Sequence, residues 1–139
     1  MPLQNYRELD VWQRAMDLMD GAYDLAALLP QGERFGMVSQ LQRAALSVTS
    51  NIAEGYGRHH RGDYLRFVSI ARGSLCEVET LVLAALRRKY LTQEQIDPFW
   101  ALCQRVGQML RRLAEALQRT PEAPNLIPEQ PATPPRRPR

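Results

Sequence analysis

Histidine is almost missing from this chain: two of its 139 residues, His59 and His60, sit side by side. A di-iron or di-manganese carboxylate centre in a helical bundle needs Glu-x-x-His on each of two helices, which adjacent histidines cannot supply. Cysteine is equally sparse, with Cys76 and Cys103 far apart in the sequence. Neither has a histidine placed in a recognisable motif to activate it as a nucleophile. Each lies in an apolar helical stretch, so both read as buried free thiols in a reducing compartment. Gly55-Tyr56-Gly57 lacks the third glycine and the preceding strand of a dinucleotide fingerprint, and nucleophile-elbow and phosphate-loop motifs are absent. The expectation is a protein with no catalytic residues, no metal and no cofactor, hence not an enzyme.

Long apolar runs are lacking too. No stretch of 18 apolar residues occurs, and Met1–Tyr6 has no charged-then-apolar leader pattern. The reading is a cytoplasmic protein that does not span a membrane. Proline is scarce where it matters. Between residues 3 and 120 only Pro30 and Pro98 occur, whereas Pro121, Pro124, Pro128, Pro131, Pro134, Pro135 and Pro138 crowd the last 19 residues. Residues 1–120 therefore read as one folded domain, and 121–139 as a disordered or extended tail that cannot build a core.

Charge is present but unevenly placed. Residues 1–33 hold two arginines against six acids, net −4, while residues 34–89 hold nine basic against four acidic residues, net +5. An acidic first segment beside a basic middle suits subunit complementarity or an anionic partner.

No segment alternates with period two, so strands are not expected; periods of three and four recur instead and outline four helices. The first runs from about Leu9 to Leu29, ending before Pro30. Leu9, Trp12, Met16, Met19, Tyr23 and Ala26 form its main apolar stripe, and Val11, Leu18, Leu25 and Leu29 a second edge. Together they span roughly 200° of the helical wheel, wider than one core-facing stripe requires. Asp10, Asp17, Asp20 and Asp24 occupy the remaining arc.

The second helix extends from about Phe35 to Tyr56, with Gly55 and Gly57 as terminators. The third has Asp63 as N-cap and continues to Lys89, with Arg87, Arg88 and Lys89 favourable at its C-terminal dipole. Its core stripe reads Phe67, Ile70, Ala71, Val78 and Leu81. Thr92-Gln93-Glu94-Gln95 fits a capping box opening the fourth helix. That helix carries Ile96, Phe99, Trp100, Cys103, Val106, Leu110, Leu113 and Leu117 on one face. Short connectors make neighbours antiparallel, which predicts an all-α, up-down-up-down four-helix bundle.

A polar stripe marks the second helix. Gln40, Arg43, Ser47, Asn51, Glu54 and Arg58 fall within an arc of roughly 80°, beside apolar Leu41, Ala45, Val48 and Ile52. Such a stripe can simply face solvent. In an antiparallel hairpin turning near residue 60, however, Arg43 stands level with Glu77, Ser47 with Gly73 and Ser74, and Asn51 with Ser69. A carboxylate at an apolar edge needs a partner, and Arg43 is the obvious one. Gly73 would permit close helix approach. The seam can fix register, line a polar pocket or contact another subunit.

The loop Arg58-His59-His60-Arg61 can hold a phosphate or an acidic side chain, or be a solvated turn. Any nucleic-acid contact would draw on Arg58, Arg61, Arg66 and Arg87-Arg88-Lys89, where the positive charge concentrates. Only Tyr56 and Tyr64 are near enough to stack on bases.

These residues also carry a resemblance. Tyr6–Gln13, Ser39–Ala45, Ser47–Arg58 and Ile70–Thr80 resemble the successive helix signatures of the bacterial four-helix bundle protein family, first noticed as reading frames inside large-subunit ribosomal RNA intervening sequences. The resemblance covers residues 5–118. It implies a left-handed up-down bundle that assembles into a homopentameric ring, and no established biochemical activity. A related branch comprises accessory proteins of diversity-generating retroelements, which bind a reverse transcriptase and nucleic acid. This chain departs from that branch in lacking a strongly basic composition. The resulting expectation is a self-associating partner-binding or scaffold protein, with a nucleic-acid-binding accessory role as the alternative.

Overall fold

The computed structural model describes residues 5–119; the proline-rich segment 121–139 lies outside the described residues. Among the described residues four α-helices build the fold: α1 (Asp10–Ala26), α2 (Ser39–Tyr56), α3 (Arg61–Arg87) and α4 (Gln93–Arg119). No strand occurs among the described residues. Each helix packs on its sequence neighbours, and α1 closes the bundle against α4, so the order around it is α1, α2, α3, α4. This is the expected antiparallel four-helix bundle.

Its ends differ from expectation in instructive ways. α1 stops at Ala26, and Leu29 is buried beyond the helix as the chain turns toward Pro30. Residues before α2 form one π-helical turn, Arg34–Val38, in which the Glu33 carboxylate accepts the Met37 N–H at 3.2 Å. α3 begins two residues before the expected cap, at Arg61. Its N-cap is His60, which makes no side-chain capping bond, and Asp63 lies inside the first turn, where its charge suits the dipole. α3 ends at Arg87, and Lys89 takes a left-handed conformation (φ 62°), the geometry usually given to glycine. The α4 capping box is present: Thr92 Oγ1 accepts the Gln95 N–H at 3.2 Å, and Gln95 Oε1 accepts the Thr92 N–H at 2.9 Å.

On α1 the structure decides between the two apolar edges. Val11, Ala15, Leu18, Ala22, Leu25 and Ala26 are buried, so the narrower edge faces inward. The wider stripe of Leu9, Trp12, Met16 and Met19 is only half-buried, and Tyr23 is 39% exposed. The reason is size: Ala15 and Ala22 let α1 settle close to its neighbours, and the bulky side chains are pushed to its flank. On α3, Ile70 is 43% exposed, and the core falls instead to Phe67, Val68, Ala71, Ser74, Leu75, Val78, Val82 and Ala85. α2 buries Leu41, Ala45, Val48 and Ile52 as expected. On α4, Trp100, Leu113 and Leu117 are half-buried at the edge of that helix's core face.

Gly73 faces open space, so it is not the point of close approach; Gly55 is. A Cβ on Gly55 would stand 2.9 Å from Phe67 Cβ and 3.1 Å from Tyr64 Cδ1. Rather than ending α2, Gly55 is a buried helical residue, and Gly57 caps the helix with an ordinary φ of −77°. The obstructing Phe67 atom is a Cβ, which moves only with its backbone. Gly55→Ala should therefore destabilise the bundle by about 1–3 kcal/mol in urea denaturation, despite alanine's better helix propensity.

Candidate functional site

The α2–α3 seam brings part of the polar stripe together. Ser47 Oγ and Ser74 Oγ lie 2.7 Å apart, the register that the hairpin geometry anticipates. Asn51 Nδ2 donates to the Ser47 carbonyl at 2.7 Å and to Ser47 Oγ at 3.0 Å. Since Ser47 Oγ accepts from Asn51, its own hydrogen is available for Ser74. Ser74 is buried and Ser47 and Asn51 are half-buried, so the seam exchanges hydrogen bonds within the bundle where water has little access.

The charged ends of the stripe do not join it. Arg43 and Glu77 are both exposed and form no ion pair within the bundle, contrary to the expected pairing. Helix level alone does not make a contact: on the α3 wheel Glu77 sits outside the α2-facing edge that Ser74 occupies. Gln40, Glu54 and Arg58 are likewise exposed. The stripe is thus a short internal seam of Ser47, Asn51 and Ser74, flanked by solvated side chains.

The basic candidates are divided by the antiparallel topology. Arg58, Arg61 and Arg66 lie at the α2–α3 turn, whereas Arg87, Arg88 and Lys89 lie at the far end of α3, about 39 Å away at 1.5 Å per residue. They do not form one surface. At the first end the Arg58 guanidinium sits 4.6 Å and the Arg66 guanidinium 5.4 Å from the centroid of the Phe67 ring, so both cations are held by the same aromatic ring. Tyr56 and Tyr64 meet edge to face at 6.3 Å, and burial with the neighbouring Tyr56 pushes the Tyr64 phenol up to about 12. These rings are engaged in packing rather than laid open for bases. His59 and His60 are exposed.

At the far end, Phe35 was not singled out from sequence, yet it is 89% exposed on the π-helical turn, with Arg34 5.3 Å over its ring. Tyr90 Oη donates to Glu33 Oε1 at 3.4 Å and ties the α1–α2 and α3–α4 connections together.

The thiols separate as well. Cys103 is buried, and its thiol is pushed up to about 12 by burial and by the Glu79 carboxylate beside it. Desolvation in turn raises the Glu79 carboxyl above its usual range. Cys76, expected to be buried, is exposed because it falls on the outer flank of α3. Among the described residues, no group of three or more His, Cys, Asp or Glu could hold a metal ion, and no helix is long and apolar enough to cross a membrane.

Replacing Ser47 by Ala should cost about 1 kcal/mol in urea denaturation, since the Ser74 hydroxyl and Asn51 amide each lose a partner. Arg43→Ala and Glu77→Ala should each stay within about 0.5 kcal/mol of the parent, as solvated surface positions do.

The model of the 23S rRNA-intervening sequence protein family matches residues 7–112. The fold is also similar to the crystal structure of a protein of unknown function from the S23 ribosomal protein family of Bacteroides thetaiotaomicron. That match has a TM-score of 0.70 at 22% identity and covers 76% of this chain and 98% of the other. No curated protein matches the chain.

Proposed function

Since the chain belongs to the 23S rRNA-intervening sequence protein family, we propose that it is a non-enzymatic, self-associating bundle, a homopentamer, that acts as a partner-binding scaffold. One observation carries this reading: the largest apolar side chains of α1 are outside the core. Trp12, Met16 and Met19 are half-buried, Tyr23 is exposed, and Leu46 on neighbouring α2 is 41% exposed. Tyr6 packs on Trp12 with ring centroids 5.4 Å apart and extends the same strip. Continuous apolar surface of this kind, rich in aromatics and methionine, is what association interfaces use. Size exclusion with light scattering at micromolar concentration should give a mass of five chains, and replacing Met16 and Met19 by Glu should reduce it. A mass of one chain for the parent would overturn the reading.

A second reading, a nucleic-acid-binding accessory role, is favoured by the crowding of Arg58, Arg61 and Arg66 at one end of the bundle. Repetition of that end around a ring would add avidity to weak contacts. Duplex DNA binding by fluorescence anisotropy should then weaken with salt at a log–log slope near −0.9 per phosphate contacted, and Arg58→Ala with Arg61→Ala should flatten it. Absence of binding at tens of micromolar protein in low salt removes this role.

A further inference from the structure

We propose that residues 121–139 lie back along the groove between α1 and α4 of their own chain, strapping that face of the bundle. The family match ends at residue 112, before this segment begins. The groove is on the other flank of α1 from the Trp12, Met16 and Met19 strip, so the strap is independent of self-association.

The groove has an apolar floor between charged rims. Gly21 of α1 lies against Phe99 of α4, whose Cδ2 is 2.9 Å from where a Cβ would stand. Asp10, Asp17 and Asp24 lie within about 60° of Gly21, on the α4 side of the helix, and Asp20 lies about 40° beyond Asp24. On α4, Gly107 lies against Leu75 of α3, 3.3 Å from the corresponding Cβ position. Leu102, Met109 and Leu113 are about 120–160° around α4 from Gly107, which turns them toward α1. All three are half-buried. Arg105, Arg112 and Glu94 are exposed and stand about 40–60° outside Met109, as the α4 rim.

Charge along the groove changes sign with height. Measured up from Arg119, where α4 ends, Arg112 is at about 10 Å and Arg105 at about 21 Å. Asp10, at about 13 Å, offsets one of these two cations. Phe99 sets Gly21 at about 30 Å, so Asp20 and Asp24 stand at about 28 and 34 Å, with Glu94 at about 38 Å. Asp17 is held by Arg14 at 3.0 Å, whereas Asp20 and Asp24 are exposed and make no ion pair among the described residues. The lower groove is thus mildly cationic and the upper groove anionic.

The segment carries the complementary order. Prolines three or four residues apart favour an extended chain of about 3.1 Å per residue, which has little conformational freedom to lose on docking. With the turn complete by Pro124, Leu126 and Ile127 come about 6–9 Å up, level with Leu113 at about 9 Å. Glu129 comes at about 15 Å, between Arg112 and Arg105. Arg136 and Arg137 come at about 37–40 Å, at the level of Asp24 and Glu94. Acid then cation meets cation then acid, over apolar residues that meet apolar floor. The covalent tether supplies a high effective concentration, so contacts that are individually weak suffice.

The test places a photoreactive benzophenone side chain at position 133, about 28 Å up, in the full chain. After irradiation, peptide mapping should find the cross-link within residues 17–24 of α1 or 98–105 of α4. Denaturing electrophoresis should show the product at the mass of one chain. Asp20→Asn with Asp24→Asn should lower the yield about three- to tenfold, as loss of two exposed charge contacts does, with helical circular dichroism unchanged. Cross-links scattered over other faces, or none, overturn the proposal. So does a groove cross-link at the mass of two chains, which puts a neighbour's segment there, or a yield that the double variant leaves unchanged. The mass of the parent by light scattering decides self-association separately.

Discussion

The close approach of α2 and α3 at Gly55 is the constraint on which the rest of the bundle depends. A helix pair this near has no room for a β-carbon at the crossing, so Phe67 and Tyr64 fill the space a side chain would need. With that distance fixed at one end of the hairpin, Ser47 and Ser74 reach each other at 2.7 Å further along, and Asn51 is drawn onto the same oxygen. A polar seam then replaces apolar packing at mid-hairpin. Its hydrogen bonds tie the pair to one register, because a slip of one residue would strand buried hydroxyls. The arrangement is specific rather than strong: each bond contributes little net stability, but the misregistered alternatives all lose.

The effect passes outward to α1. With α2 and α3 close together, little space remains on the core side of the first helix, and alanine fills it at positions 15, 22 and 26. The aromatic and methionine side chains are left at the flank, half in solvent. A sequence that buries small residues and displays large ones on the same helix is spending hydrophobic surface on something beyond its own core.

Helix number, order and the cap that opens α4 were legible because they rest on local chemistry: the Thr92–Gln95 box and the three-and-four spacing need no knowledge of distant residues. The Ser47–Ser74 pairing was legible for a related reason, since one turn fixes which levels of a hairpin meet. What sequence missed was angular. Arg43 and Glu77 share a level but not a facing edge, and the two apolar edges of α1 carried no sign of which one turns inward. A wheel shows how wide an apolar arc is, whereas which part faces inward depends on the size of neighbours three helices away. Phe35 lay in a stretch read as the start of an ordinary helix, and the π-helical turn that exposes it has no sequence signature of its own. The basic residues looked like one cluster because most are close in sequence, and a helix of 27 residues set them at opposite poles.

The two sulfur atoms offer a consequence of a different kind. Cys103 is sealed in the core with a thiol driven far from ionisation, so at neutral pH it presents almost no thiolate to an alkylating reagent. Cys76 stands exposed on the outer flank of α3. The native chain therefore carries a single addressable handle among its described residues. A fluorophore attached there reports on the α3/α4 surface without any cysteine having to be introduced or removed.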